Sequence, residues 1–366
     1  MIHYLKIKNF GPVNDEVEMN FEVAEQTEDA YEVIMPDGRR LLKLAYIYGA
    51  NASGKTTILK AFEFLRKLLL KPITDKAIEL DFEPFLFRNN PYKQASRFEL
   101  SFYTEGLRYV YEISFTKQAI LGERIVFYQT AKPTELFSRS TDMKKRLAKI
   151  QFGTKVKVPV RERDLLESNT LHNNTVIGAY AKTNVDIPEL EKLNRWFNVF
   201  LLGMITSTHN LTDVTVSLID QNPLINKWIN TFLNKADHQI SEVNVSDSDK
   251  LISVPLEDIL QNEFGARFLT QGSYSKKTTV KPKTGVPGPN FFGGGSVQRK
   301  IDFVHKVSDD KNYALSILSE SSGTKRYFGL GGPLYELIHA SRLLCIDELE
   351  TSLHPDLMKH FCRFSY

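Results

Sequence analysis

The run Gly49-Ala50-Asn51-Ala52-Ser53-Gly54-Lys55-Thr56 has the residue types and spacing of a phosphate cradle, matching G-x-x-x-x-G-K-[ST] in full. Gly49 and Gly54 permit backbone angles that a side chain forbids. The loop's N–H groups can then turn inward around a β-phosphate, and a helix starting behind the loop adds its positive N-terminal end. Lys55 is placed to neutralise β- and γ-phosphate oxygens, and the Thr56 hydroxyl to ligate Mg²⁺. With Thr57 added, residues Gly49 to Thr57 form the expected nucleotide-binding set. The bland alternative is a glycine turn that happens to precede a helix.

Two further runs carry chemistry. Leu343-Leu344-Cys345-Ile346-Asp347-Glu348 reads as a buried strand with carboxylates at its C-terminal end, where α/β sheets place ligands. Asp347 would hold Mg²⁺ through water and Glu348 would polarise an attacking water, as the catalytic residue. The competing reading is an acidic N-cap for a helix from Thr351 onward. Ser319-Glu320-Ser321-Ser322-Gly323-Thr324-Lys325-Arg326 precedes an expected helix over Tyr327–Ser341. A Ser-Ser-Gly turn there offers a hydroxyl and free N–H groups as a second anion site; the alternative is a plain Ser N-cap.

Other elements must hold these runs. Leu41–Tyr48 is nearly continuous apolar sequence, expected to be a strand buried on both faces. Thr56–Leu70 places Ile58, Leu59, Phe62, Leu65 and Leu69 on one helical face. Strands are expected at Ile2–Phe10 and Glu16–Phe21, with a turn at Pro36-Asp37-Gly38. Arg97–Tyr103 and Arg108–Phe115 read as a hairpin, and Ala119–Thr130 as a third strand of one antiparallel meander. Leu136–Ile150 reads as a basic, helix-like run whose Lys144-Lys145-Arg146 form a solvated face. Ile187–Met204 and Leu224–Leu233 read as amphipathic helices with Trp196, Phe197, Phe200, Trp228, Ile229 and Phe232 as core. Residues 273–295, rich in Gly, Pro, Lys and Thr, read as a flexible loop, and its Lys276, Lys277, Lys281 and Lys283 are candidates for touching a nucleic-acid backbone. His172, His209, His238 and His305 show no metal-ligand spacing.

Composition bounds the classes. Lys+Arg 47 against Asp+Glu 44 gives a net charge of +3, so any basic groove has to be local. With 42% hydrophobic and 25% charged residues, the chain can bury enough apolar surface to fold, which excludes disorder as its main state. No stretch approaches the ~18 uninterrupted apolar residues of a membrane span. The N-terminus lacks a basic-then-apolar leader, and two cysteines, Cys345 and Cys362, cannot build a disulfide framework. A cytoplasmic location is expected.

The order of these motifs, completed by Ser352-Leu353-His354-Pro355, resembles the ABC-type ATPases of the SMC, RecF and OLD group. The likeness is nearest to stand-alone bacterial AAA family ATPases that carry a Ser-Ser-Gly-Thr-Lys-Arg signature. It covers about 1–130 and 300–360 and is weak between them. It implies an α/β P-loop NTPase, an ABC-type head with an antiparallel meander and a mostly helical insertion. The expected domains are 1–134 with the phosphate loop, 135–299 as the insertion, and 300–366 with the signature and acid pair. It implies ATP and Mg²⁺ as cofactors and a homodimer with nucleotide sandwiched between heads. One head supplies Lys55, Thr56, Asp347 and Glu348; the other supplies Ser322 and Gly323 in trans, and Ser352 and His354 lie in the loop crossing between heads. Family members continue beyond the acid pair with further strands and a γ-phosphate histidine, whereas this sequence stops at Tyr366, so a truncated head is expected; His360 lies too early to be that histidine.

The function this implies is an ATPase that dimerises on ATP, a sensor or switch in anti-phage defence. Since no nuclease motif appears, the effector, a nuclease or toxin, would be a separate protein. Two alternatives stay open: an ATP-gated scaffold with little hydrolysis, and a RecF-like repair ATPase with DNA or RNA as partner. No membrane partner is expected.

Overall fold

The computed structural model describes residues 1–24, 32–50, 53–236, 239–247, 299–308, 311–340 and 342–364. Asn51, Ala52, His238 and the whole 273–295 loop with its lysines lie outside the described residues. The chain divides into two compact units, Met1–Met204 and Ile205–Tyr366. That division falls inside the stretch expected as a single insertion.

The first unit is built on a seven-stranded antiparallel sheet. Its strands are β1 (Ile2–Lys8), β2 (Val17–Asn20), β5 (Ser96–Thr104), β6 (Leu107–Phe115), β7 (Ile120–Tyr128), β8 (Thr134–Asp142) and β9 (Leu147–Phe152). They lie in the order β2-β1-β5-β6-β7-β8-β9. The β5–β6 hairpin pairs Thr104 with Leu107 around Glu105-Gly106, both at positive φ, which the tight connection requires. The expected hairpin and third strand are present. A separate small hairpin, β3 (Glu32–Ile34) and β4 (Arg40–Leu42), closes over the expected turn at Pro36-Asp37-Gly38.

Helix α1 (Lys55–Leu70) carries the end of the phosphate loop, and its apolar side fixes it to the sheet. Phe64 sits among Phe10, Phe82, Phe98 and Phe115, with ring centroids 5.1–5.8 Å from it, spacings that aromatic pairs favour. Ala61, Phe62, Leu65, Leu68 and Leu69 are also buried, so α1 buries more of its circumference than the single expected face. Helices α2 (Val160–Asn169), α3 (Val176–Tyr180) and α4 (Pro188–Phe200) complete this unit. In α4, Phe197 and Phe200 are buried and Trp196 stacks on Phe102 at 4.1 Å.

The expected helix over Leu136–Ile150 is wrong: it is the β8–β9 hairpin. Ala148 and Ile150 are buried while Leu147, Lys149 and Gln151 are exposed, a period of two. Lys144-Lys145-Arg146 form its turn. The Asp142 carboxylate accepts the N–H of Lys144 at 2.9 Å and of Lys145 at 3.1 Å, and Arg146 has φ +54°. An Asx turn, not a helical face, explains the charge cluster. The continuous strand expected over Leu41–Tyr48 is also not formed: only Arg40–Leu42 pairs, and Tyr46 and Tyr48 are exposed. An apolar run becomes a strand only where a neighbouring backbone pairs with it. Strand β2 is largely exposed, and Phe21 just beyond its end is the residue that turns inward.

The second unit contains α5 (Thr212–Gln221), α6 (Pro223–Ala236), α7 (Ser322–Ala340) and α8 (Pro355–Phe364). It also holds an antiparallel sheet of β10 (Ile240–Asp247), β11 (Arg299–Ser308) and β12 (Lys311–Ser316). Among its described residues, the stretch expected as the insertion holds strands as well as helices. Phe232 of α6 stacks on Tyr327 of α7 at 4.4 Å and on Trp228 at 5.3 Å, and Phe303 of β11 meets Phe328 edge-on at 5.5 Å. Helix α7 contains Pro333, which has no N–H for the carbonyl four residues back, that of Gly329. Thr215 of α5 repairs the gap: its hydroxyl donates to the Gly329 carbonyl at 2.7 Å and accepts the Gly332 N–H at 3.1 Å. This close approach needs a glycine, since a Cβ at Gly332 would lie 2.6 Å from Thr215 Oγ1. The helix carrying the Ser-Ser-Gly turn is thus locked against its own unit.

Candidate nucleotide site

In the first unit, Ser53 and Gly54 lead directly into α1. Gly54 stands at the helix N-terminus in the left-handed region, φ 91°, ψ 9°, a conformation that favours glycine. Its carbonyl accepts the N–H of Thr57 at 3.0 Å and of Ile58 at 3.4 Å, starting the helix. Ser53 N–H donates to the Ala50 carbonyl at 3.2 Å. A Cβ on Gly49 would lie 2.6 Å from Ser53 Oγ, so the loop is closed more tightly than a side chain there allows. The Lys55 ammonium folds back over the loop, donating to the carbonyls of Gly49 at 2.7 Å and Ala50 at 2.8 Å. Lys55 and Thr56 are half-buried and Thr57 is buried. A tight loop, a left-handed glycine, a helix N-terminus and an ammonium reaching over the loop are parts that fit a bound polyphosphate.

The acid pair, the signature and the expected crossing loop fall in the second unit. Residues 343–346 do not form the regular buried strand expected; Leu343, Leu344 and Ile346 are half-buried and only Cys345 is buried. The backbone there makes a short parallel bridge with Ile205. Ile205 N–H donates to Cys345 O, and Asp347 N–H to Ile205 O, each at 2.8 Å. Two bonds fix the direction of the segment but do not extend into a ladder. Asp347 is half-buried and Glu348 exposed. Glu348 has φ +52°, and Ser352, in the following turn, φ +66°. Such angles cost a residue with a side chain roughly 1–3 kcal/mol and collect at functional sites. The Glu348 carboxylate accepts the Ser207 hydroxyl at 2.8 Å.

Helix α7 begins at Ser322, five residues before the expected start. Ser321 caps it, accepting the Thr324 N–H at 3.1 Å. The cap therefore falls to Ser321, while Ser322, the serine expected to face an anion, stays exposed in the first turn. Gly323 sits where a Cβ would be 2.8 Å from the Ser352 carbonyl, which brings the signature against the expected crossing loop within one unit. His354 is exposed, its ring 3.4 Å from Asp356 at the start of α8. His360 bonds Tyr327 of α7, and burial lowers its pKa.

Arg326, one turn into α7, reaches the acid turn. It donates to the Ser207 carbonyl at 3.3 Å and to the Glu348 carbonyl at 3.4 Å. Burial pulls its guanidinium below the ordinary value, with Glu348 and Glu350 pushing it back up. Its buried Nε has no partner among the described residues. Sequence reading missed Ser207 and Arg326 as members of this cluster. Arg326 lay within the quoted signature, four residues from Ser322, a spacing that puts the two on one helical face. For Ser207, 141 residues from Glu348, no local signal exists.

Residues 44–364 match the family model AAA_21, described as "AAA domain, putative AbiEii toxin, Type IV TA system". The chain belongs to this family. It is an AAA-family, ATP-binding P-loop NTPase with an antiparallel sheet and helices in an α/β fold. No curated protein matches the chain. No helix of the described residues is long and apolar enough to cross a membrane.

Proposed function

We propose that the protein hydrolyses ATP as an ABC-type ATPase and works as an ATP-driven dimeric switch. The observation that carries the nucleotide site is the phosphate loop itself, closed by Gly54 at φ 91° and spanned by Lys55. On binding, Lys55 exchanges the carbonyls of Gly49 and Ala50 for β- and γ-phosphate oxygens. Thr56 and Asp347 are the residues that would hold Mg²⁺, which when bound neutralises phosphate charge. Glu348 takes the proton of the attacking water. Ser322, exposed beside the cap at the start of α7, addresses the nucleotide of a second copy together with Gly323. The Ser352 carbonyl lies close to Gly323, which supports Ser352 and His354 as the crossing loop of this reading. The family's description speaks of a toxin and a type IV toxin–antitoxin system. A defence role, with a separate nuclease or toxin as effector, is consistent with it.

The test is sizing with and without MgATP. Glu348→Gln keeps the binding loop and removes only water activation, so it accumulates as an ATP-bound dimer with hydrolysis reduced at least about a hundredfold, the scale of a lost general base. Ser322→Arg binds ATP as a monomer and fails to dimerise. A Glu348→Gln chain that hydrolyses at the wild-type rate, or stays monomeric with ATP while wild type dimerises, contradicts the reading.

A further inference from the structure

The geometry points to Ser207 as a positioning residue for hydrolysis, acting through Glu348; this rests on the reading of Glu348 as the general base. A glutamate on an exposed turn has three rotatable side-chain bonds, and a base that must meet one water is useful only when its carboxylate is held. Ser207 supplies the hold: its hydroxyl donates to Oε2 at 2.8 Å, leaving Oε1 for the water. Three observations show that the contact is built rather than incidental. The Ile205–Ile346 bridge lays the two chain segments side by side, so Ser207 and Glu348 each follow by two residues. Glu348 is held at φ +52°, which aims its side chain away from the path that ordinary backbone would give it. Arg326 ties the carbonyls of Ser207 and Glu348 to the same guanidinium, so the pair moves as one with the first turns of α7.

A hydroxyl donor fits this task better than a cation. It orients a carboxylate without neutralising the charge that makes it a base, whereas a lysine or arginine at the same place would weaken it as a proton acceptor. The 206–209 turn is itself fixed, because Thr206 N–H donates to His209 Nδ1 at 3.1 Å. Ser207 therefore enters the site from a braced segment.

Steady-state ATPase kinetics on the full chain test this. Ser207→Ala should lower kcat about tenfold, the scale of one hydrogen bond to a charged group, while KM for ATP stays within about twofold, because Ser207 acts on the base and not on the nucleotide. Ser207→Thr, which keeps the hydroxyl, should recover most of kcat. In a Glu348→Asp background, whose shorter side chain already withdraws the carboxylate from Ser207, the alanine change should have little further effect. An unchanged kcat in Ser207→Ala, or an equal loss in the Glu348→Asp background, overturns the role of Ser207. Glu348→Gln measured alongside separates the two levels. If it abolishes hydrolysis while Ser207→Ala does not matter, only the positioning role fails. If it hydrolyses like wild type, or wild type shows no hydrolysis, the general-base reading fails and the positioning role with it.

Discussion

Glu123 and Glu348, the proposed base, are two glutamates in opposite surroundings. Glu123, on β7, is 3% exposed. Its carboxylate accepts the Tyr111 hydroxyl at 3.0 Å and the Val176 N–H at 2.8 Å, and the buried Arg139 guanidinium adds an attractive charge. Burial nonetheless pushes its pKa up to about 7. Arg139 is spent on the carbonyls of Ile120, Leu171 and His172, tying β7 and β8 to the segment before α3. Glu348 is exposed, sits on left-handed backbone, and is held by one hydroxyl. A carboxylate that stitches a fold together is surrounded and saturated with donors. The proposed base keeps lone pairs open and sits on strained backbone.

The contrast breaks most sharply on deletion. Glu123→Ala should cost roughly 1–3 kcal/mol by denaturant unfolding, because it leaves the Tyr111 hydroxyl and the Val176 N–H buried without their acceptor. Glu348→Ala should cost less than about 0.5 kcal/mol, as surface changes usually do, while removing hydrolysis. Equal losses of stability would erase the distinction.

A second effect is pH-dependent. The folded-state pKa of Glu123 is raised to about 7 from an ordinary 4.5. Its contribution to stability is therefore fully present below about pH 4.5 and is lost as pH rises through 7. Glu123→Gln keeps a hydrogen-bonding side chain but does not ionise. Its stability relative to wild type should rise by about 1–3 kcal/mol between pH 4.5 and 8, read from thermal or urea melts at each pH. A difference that stays flat across that window would show that Glu123 does not titrate there.

The smallest effect concerns strain. Glu348→Gly should stabilise the chain by up to about 1 kcal/mol, since glycine adopts φ +52° freely. A loss of stability in unfolding experiments would mean that the Ser207 contact outweighs the backbone cost.

Legibility in the sequence follows the same division. The glycines expected of a phosphate loop were legible because local backbone geometry dictates them: Gly54 is left-handed and Gly49 is crowded. The β5–β6–β7 meander was readable from its alternating aromatic and β-branched residues. The β8–β9 hairpin was misread because Lys144-Lys145-Arg146, gathered in an Asx turn, imitate a helical face. The strand expected at Leu41–Tyr48 failed for a different reason: apolarity states that a segment tends to be buried, not which backbone pairs with it. Glu123 gave no signal, as one acid among the alternating residues of a strand looks solvent-facing until the sheet is covered. Ser207 depends on a contact that only the folded second unit creates.

Lys55 and Asp347 have separate proposed roles, Lys55 on the nucleotide phosphates and Asp347 on Mg²⁺. Calorimetric titration of ATP into wild type, Lys55→Ala and Asp347→Asn, with Mg²⁺ and with EDTA, tests both directly. Lys55→Ala should weaken ATP at least tenfold in both conditions, about 1.4 kcal/mol. Asp347→Asn should weaken binding only when Mg²⁺ is present. An Asp347→Asn chain that binds MgATP as tightly as wild type, beside a Lys55→Ala chain that does not, would contradict the role of Asp347 as a Mg²⁺ ligand.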